Sequence, residues 1–235
     1  MDENEILQLA NIELARAAKM KQVDPQQINW TKVKIRTPEV RKAGRVLLKR
    51  LRSQGIRDID EILGLCESLL STGAWPHRTI AFQWSFSVRK QFESRHFPLL
   101  EHWVKDYVTG WGSCDDLCTH SLGFFLVTFP QFMPSILAWA KSPQTYVRRA
   151  AAVSLIYGLR RGHFLEHVFQ VADALLQDSE DHVLKGYGWM LKEATKYFPD
   201  EVFEYVMAHK DEMPRVSLRY AIEKLPPEMK RQAMA

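Results

Sequence analysis

Six short stretches of this chain resemble one another, and their nearly constant step restricts the fold more than any other feature. Centred on Arg41, Arg78, Cys114, Arg149, Lys185 and Arg219, they are separated by 37, 36, 35, 36 and 34 residues. A basic residue followed by small or apolar ones, at a period near 35, is the sequence form of a two-helix solenoid repeat. Each such repeat buries its apolar face only by stacking on its neighbours. Five of the six positions carry Arg or Lys, and the exception, Cys114, is followed by Asp115 and Asp116. Stacking predicts a face that is basic in every layer but one, with acid in the odd layer. Chemistry is expected there.

The pattern within the repeats is helical. Apolar residues recur at three and four positions in Ile62, Leu63, Cys66, Leu69 and Leu70, and again in Val168, Val171, Leu175 and Leu176. Thr37-Pro38-Glu39 predicts a helix start with Thr37 as cap and Pro38 in the first helical position; Ser142-Pro143 and Asp178-Ser179-Glu180-Asp181 predict two more. Breaks are expected at Gly55, Gly73, Gly110, Phe129-Pro130, Gly162, Pro199 and Pro214. No Gly/Ser linker or low-complexity tract divides the chain, so residues 1–235 are expected to form a single domain. Within it, 31–225 would make about six repeats. Residues 1–30 fit the repeat least well and would either cap the array or fold over its concave face. The expected fold class is an all-α, right-handed solenoid of HEAT-like repeats, its second helices lining a basic concave groove.

Composition narrows the setting. A hydrophobic content of 46% over 235 residues supports a substantial core. The apolar runs fall far short of the roughly 18–20 residues that a membrane span needs, so no membrane association is expected. Met1-Asp2-Glu3-Asn4-Glu5 has neither the basic nor the apolar region of a signal peptide, and three cysteines suit a reduced, cytoplasmic chain. The net charge of +4 is unevenly placed. Lys32, Lys34, Arg36, Arg41, Lys42, Arg45, Lys49, Arg50, Arg52 and Arg57 face a single Glu39 before Asp58. Cations at that density predict a surface for a phosphate backbone. A solvated helix face is the alternative.

Three further stretches are more specific as an ordered set. They are Trp111-Gly112-Ser113-Cys114-Asp115 in the third layer, Tyr146-Val147-Arg148-Arg149-Ala150-Ala151 in the fourth, and Lys185-Gly186-Tyr187-Gly188-Trp189-Met190-Leu191-Lys192-Glu193 in the fifth. With Thr37-Pro38-Glu39-Val40-Arg41 before them and Arg219-Tyr220-Ala221-Ile222-Glu223-Lys224 after, the set resembles the bacterial DNA alkylation repair proteins built from HEAT-like repeats, the AlkD-type alkylpurine DNA glycosylases. The resemblance spans about residues 30–225. It implies a catalytic cleft formed by Trp111, Asp115, Arg149 and Trp189, and double-stranded DNA as the partner of a monomer in the bacterial or archaeal cytoplasm, at the nucleoid. Arg148, Lys185, Arg41, Lys42, Arg45 and Lys49 are the candidate DNA contacts. No cofactor and no metal are implied. The sequence departs from the family pattern at Gly112, at the added carboxylate Asp116, and in an N-terminal helix without an aromatic counterpart. The alternative reading is therefore a non-catalytic member that binds distorted or branched DNA.

The chemistry the resemblance implies suits these residue types. A purine alkylated at N3 or N7 carries a positive charge and leaves without a general acid. The remaining task is to stabilise an oxocarbenium-like sugar, which a carboxylate does electrostatically. That role falls to Asp115. Trp111 and Trp189 would meet the cationic nucleotide with their π faces, and Arg149 would hold a flanking phosphate. Asp116, about 100° further round a helix, would face away. Cys114, Cys118 and His120 also admit a zinc reading, with three potential ligands and no obvious fourth.

Overall fold

The computed structural model describes residues 2–235, and all regular structure among them is helical. The chain divides into two compact units, one ending at Glu93 and the other running from Ser94 to Ala235.

The first unit contains two helix pairs. In the first, α1 (Glu3–Ala17) packs against α2 (Thr37–Ser53); in the second, α3 (Ile59–Leu70) packs against α4 (Trp75–Ser87). Asp2 starts α1 through a capping box, its carboxylate accepting from Glu5 N at 2.8 Å while the Glu5 side chain accepts from Asp2 N at 2.9 Å. The start of α2 lies one residue earlier than Thr37-Pro38 suggests. Arg36 occupies the cap position, and Glu39 reaches back to its N–H at 2.9 Å. The N-terminal stretch is the partner of α2 and also packs on α3. Ile6, Ala10 and Leu14 of α1 are buried completely, and Val40, Leu47 and Leu51 of the facing α2 are each at most 1% exposed. Between layers, the buried Trp84 of α4 donates to the Gly44 carbonyl of α2 at 2.8 Å.

The second unit continues the pairing. A short α5 (Phe97–His102), extended by a π-helical turn at 103–107, is followed by α6 (Trp111–Leu117), a second π turn at 118–122 and α7 (Gly123–Thr128). After these come α8 (Met133–Trp139) with α9 (Thr145–Val153) and α10 (Ile156–Leu159), α11 (Leu165–Leu175) with α12 (Asp181–Ala194), and α13 (Pro199–His209) with α14 (Arg215–Ala221). The last helix is α15 (Pro227–Met234). Breaks fall where expected, and Gly55, Gly73 and Gly162 take φ of +91°, +67° and +79°, the left-handed region that glycine enters without strain. Among the described residues, no single helix is long and apolar enough to cross a membrane.

Every one of the six repeat positions lies on the second helix of its pair: Arg41 on α2, Arg78 on α4, Cys114 on α6, Arg149 on α9, Lys185 on α12 and Arg219 on α14. Their exposures differ. Arg219 is exposed, Lys185 is partly covered, and Cys114 and Arg149 are buried. The spacing thus marks a shared helix without marking a shared outward face.

Glycine permits the tight packing of α12 on its neighbours. A Cβ on Gly188 would stand 2.8 Å from Tyr220 Cβ and 2.9 Å from the Ser217 carbonyl oxygen of α14. One on Gly186 would stand 3.2 Å from Arg149 Cγ of α9. The pair around Tyr187 therefore lets α9 and α14 approach the two sides of α12.

Candidate active site

Trp111 is the first residue of α6 and Asp115 lies four residues on, so one turn places them on the same side of the helix. At 56% exposure, Trp111 is unusual for the largest apolar side chain, which folding alone would cover. On α12, His182, Lys185, Trp189 and Lys192 are spaced three, four and three apart and form a single stripe. Arg149 enters from α9 and Tyr220 from α14. These eight side chains line one cavity of about 550 Å³. All four residues expected to form the catalytic cleft are among them, and every lining residue belongs to the second unit.

The geometry at its floor is an ion pair. Arg149, 5% exposed, donates from Nε and Nη2 to Asp115 Oδ1 at 3.0 and 2.8 Å and from Nη2 to Oδ2 at 3.0 Å. Its Nη1 donates to the His182 carbonyl. A guanidinium fork matches a carboxylate bidentately and fixes its plane. All three nitrogens thus donate inside the protein, and Arg149 orients Asp115 where the sequence suggested a hold on phosphate. Burial pushes the Asp115 carboxyl above its ordinary value, and the Arg149 charge and hydrogen bonds oppose that push.

The cations around the cavity are differently placed. Lys185 meets Asp181 at 2.6 Å and is about two-fifths exposed, and Lys192 meets Glu223 at 3.1 Å while its ammonium lies 5.5 Å from the Tyr220 ring centre. Arg148, expected to contact DNA, forks Asp178 at 2.6 and 3.2 Å and donates to the Ser142 and Pro143 carbonyls at 2.9 and 3.2 Å. It ties α9 to its flanking turns and lies outside the cavity. Lys42, Arg45 and Lys49 are exposed on α2 of the first unit, and Arg41 is partly buried there.

Asp116 turns to His120, Oδ1 to Nδ1 3.8 Å, and does not line the cavity. Cys114 and Cys118 are free and fully buried, with their sulfurs 4.0 Å apart. Among the described residues, no group of three His, Cys, Asp or Glu side chains converges to hold a metal ion.

Three wall residues are among neither the expected cleft residues nor the expected DNA contacts: His182, Lys192 and Tyr220. The first two could have been found by extending the three-four spacing from Lys185 and Trp189 along α12. Tyr220 lies beside the sixth repeat position, and only the packing of α14 on α12 brings it to the cavity.

Residues 9–225 match the family model described as DNA alkylation repair enzyme. Among solved structures, the chain is similar to a predicted DNA alkylation repair enzyme from Enterococcus faecalis, at 16% identity and a TM-score of 0.70, covering 93% of this chain and 95% of that one. It is also similar to AlkD2 from Streptococcus mutans, at 20% identity and a TM-score of 0.62, covering 92% of this chain and 99% of that one. At these identities the likeness is one of fold. No curated protein matches the chain.

Proposed function

The chain belongs to the DNA alkylation repair enzyme family, and from that premise we propose that it hydrolyses the N-glycosidic bond of N3- or N7-alkylated purines in duplex DNA. The observation that carries this reading is the convergence of Trp111, Asp115, Arg149 and Trp189, from three separate helices, on one cavity. Nothing in the packing of a helical repeat requires an exposed tryptophan, a part-exposed carboxylate and a second tryptophan to share an opening.

In this reading the bonding electron pair leaves with the alkylated purine and neutralises its charge, the developing charge sits on the sugar, and water then adds at C1′ and gives up a proton to solvent. The carboxylate of Asp115, about one-fifth exposed, offers its open edge to that charge. It is held in plane by Arg149, so little reorganisation is needed as the bond breaks. Trp111 and Trp189 flank the cationic nucleotide, each such contact contributing roughly 0.5–2 kcal/mol according to its desolvation. Lys185 and Lys192 supply positive charge at the rim for the phosphodiester. The exposed Lys42, Arg45 and Lys49 on α2 of the first unit add cations for backbone contacts.

Release of 7-methylguanine from a defined duplex tests the reading. Asp115→Asn is expected to lower single-turnover excision on the order of 100- to 1000-fold with DNA affinity nearly unchanged, while Asp116→Asn excises as wild type does. A wild-type protein that binds alkylated duplex and releases no base is instead a non-catalytic DNA binder. Undiminished excision by Asp115→Asn moves the active site elsewhere.

A further inference from the structure

Behind the Trp189 wall lies Glu193, which the chemistry above does not use. It is 6% exposed. Its Oε1 accepts from the Trp189 indole Nε1 at 3.0 Å and from Lys224 Nζ at 3.3 Å, and its Oε2 accepts from Arg160 Nε at 3.0 Å. Trp189 and Glu193 are four apart on α12, so their bond lies within one helix. Arg160 caps the end of α10 and Lys224 follows α14, so the carboxylate is gripped from two other layers as well. The Arg160 guanidinium carbon also lies 5.9 Å from the Trp189 ring centre.

An indole has one hydrogen-bond donor and two side-chain torsions. Packing alone leaves the ring of a wall residue room to turn, because one side of it faces open space. A bond from the ring nitrogen to an acceptor that is itself held by two cations from other layers removes that freedom. Preorganisation of this kind matters most for groups that must meet a reacting atom, since a displacement near 1 Å costs on the order of 100-fold in rate.

We propose that Glu193 is a positioning residue for base excision: by accepting the indole N–H, it fixes the orientation in which Trp189 meets the nucleotide. This rests on the reading of Trp189 as a wall of the glycosylase cavity. Glu193 itself touches no substrate. Arg160 and Lys224 hold the carboxylate in place, linking the wall to the layers on either side.

The test labels the protein with 5-fluorotryptophan and assigns Trp189 by its absence from Trp189→Phe. In the ¹⁹F spectrum of the DNA-free protein, Glu193→Ala is expected to shift or broaden the Trp189 resonance and leave the other tryptophans in place. Glu193→Gln, which keeps an acceptor for the indole, retains the wild-type resonance. Single-turnover release of 7-methylguanine should fall about tenfold or more in Glu193→Ala and recover most of the way in Glu193→Gln. Combined with Trp189→Phe, Glu193→Ala should add little, because both variants delete one bond. A residue that only stabilises the fold would lower the melting temperature, leave the resonance unmoved and give losses that multiply; that result overturns the proposal. Should Glu193→Ala not fold, the wild-type protein still decides, since a bonded Trp189 indole proton exchanges slowly with solvent and fast exchange rules out the anchor. If wild type releases no base, the glycosylase reading fails while the resonance and exchange measurements still judge the anchor.

Discussion

At Asp115, burial and Arg149 act on the same proton in opposite directions, and burial prevails. A raised acid takes up its proton sooner as pH falls, so on the proposed function the carboxylate is lost at a higher pH than an ordinary aspartate would lose it. The acid limb of the single-turnover rate should therefore lie above the usual aspartate range, and a rate constant that holds level through that range would contradict the assignment. Stability runs the other way at this residue. A folded pKa above the unfolded value favours the fold at low pH and withdraws that contribution as pH rises through it. Glu193 has the opposite sign. Burial pushes its carboxyl up, but bonds from Arg160, Trp189 and Lys224 bring it down to about 2. Its contribution is present above the ordinary glutamate value and lost as pH falls toward 2. Glu193→Gln should thus be less stable than wild type at neutral pH, with the gap in denaturant midpoint narrowing as the solution is acidified. A gap independent of pH would mean that the charge is not held by the fold.

Between helices, α12 controls the site because α9 and α14, which both supply cavity residues, pack on it. At Gly188 two effects compete. Alanine in its place would raise helix propensity by about 1 kcal/mol, but its Cβ would lie 2.9 Å from a backbone oxygen of α14, which cannot swing aside as a side-chain tip can. Overpacking of this kind costs roughly 1–3 kcal/mol, so Gly188→Ala should be net destabilising in chemical denaturation and should shift Tyr220 at the cavity wall. A neutral or stabilised variant would show that α14 has room to move. At this scale much of the site was legible in the sequence. Trp111 with Asp115, and Lys185 with Trp189, stand at single-turn spacings, which fix their common faces once each stretch is known to be helical. The roles of Arg148 and Arg149 were not legible. Their partners Asp178 and Asp115 lie 30 and 34 residues away in neighbouring layers, and no spacing within α9 distinguishes an arginine that turns inward from one that meets DNA.

Across the whole chain, the repeat step identified the second helix of every pair, because stacking forces equivalent residues onto equivalent elements. It could not identify exposure, which depends on how each layer is filled; a register position can be core at Cys114 and surface at Arg219. The cations that remain for a phosphate backbone are therefore fewer than the composition suggests, and binding should show it. The affinity for duplex DNA should fall with salt, with a slope in log K against log concentration of about −0.9 for each phosphate neutralised. Reversing Lys42, Arg45 and Lys49 to Glu should flatten that slope, whereas Arg148→Gln should leave it unchanged; a slope insensitive to the triple reversal would remove α2 from the interface. The cavity draws every lining side chain from residues beyond Ser94. If the proposed function holds, substitutions in the earlier unit would alter how tightly a duplex is held without displacing any side chain of the cavity. On that reading, target choice and bond-breaking chemistry are separable along the chain, each open to change without the other.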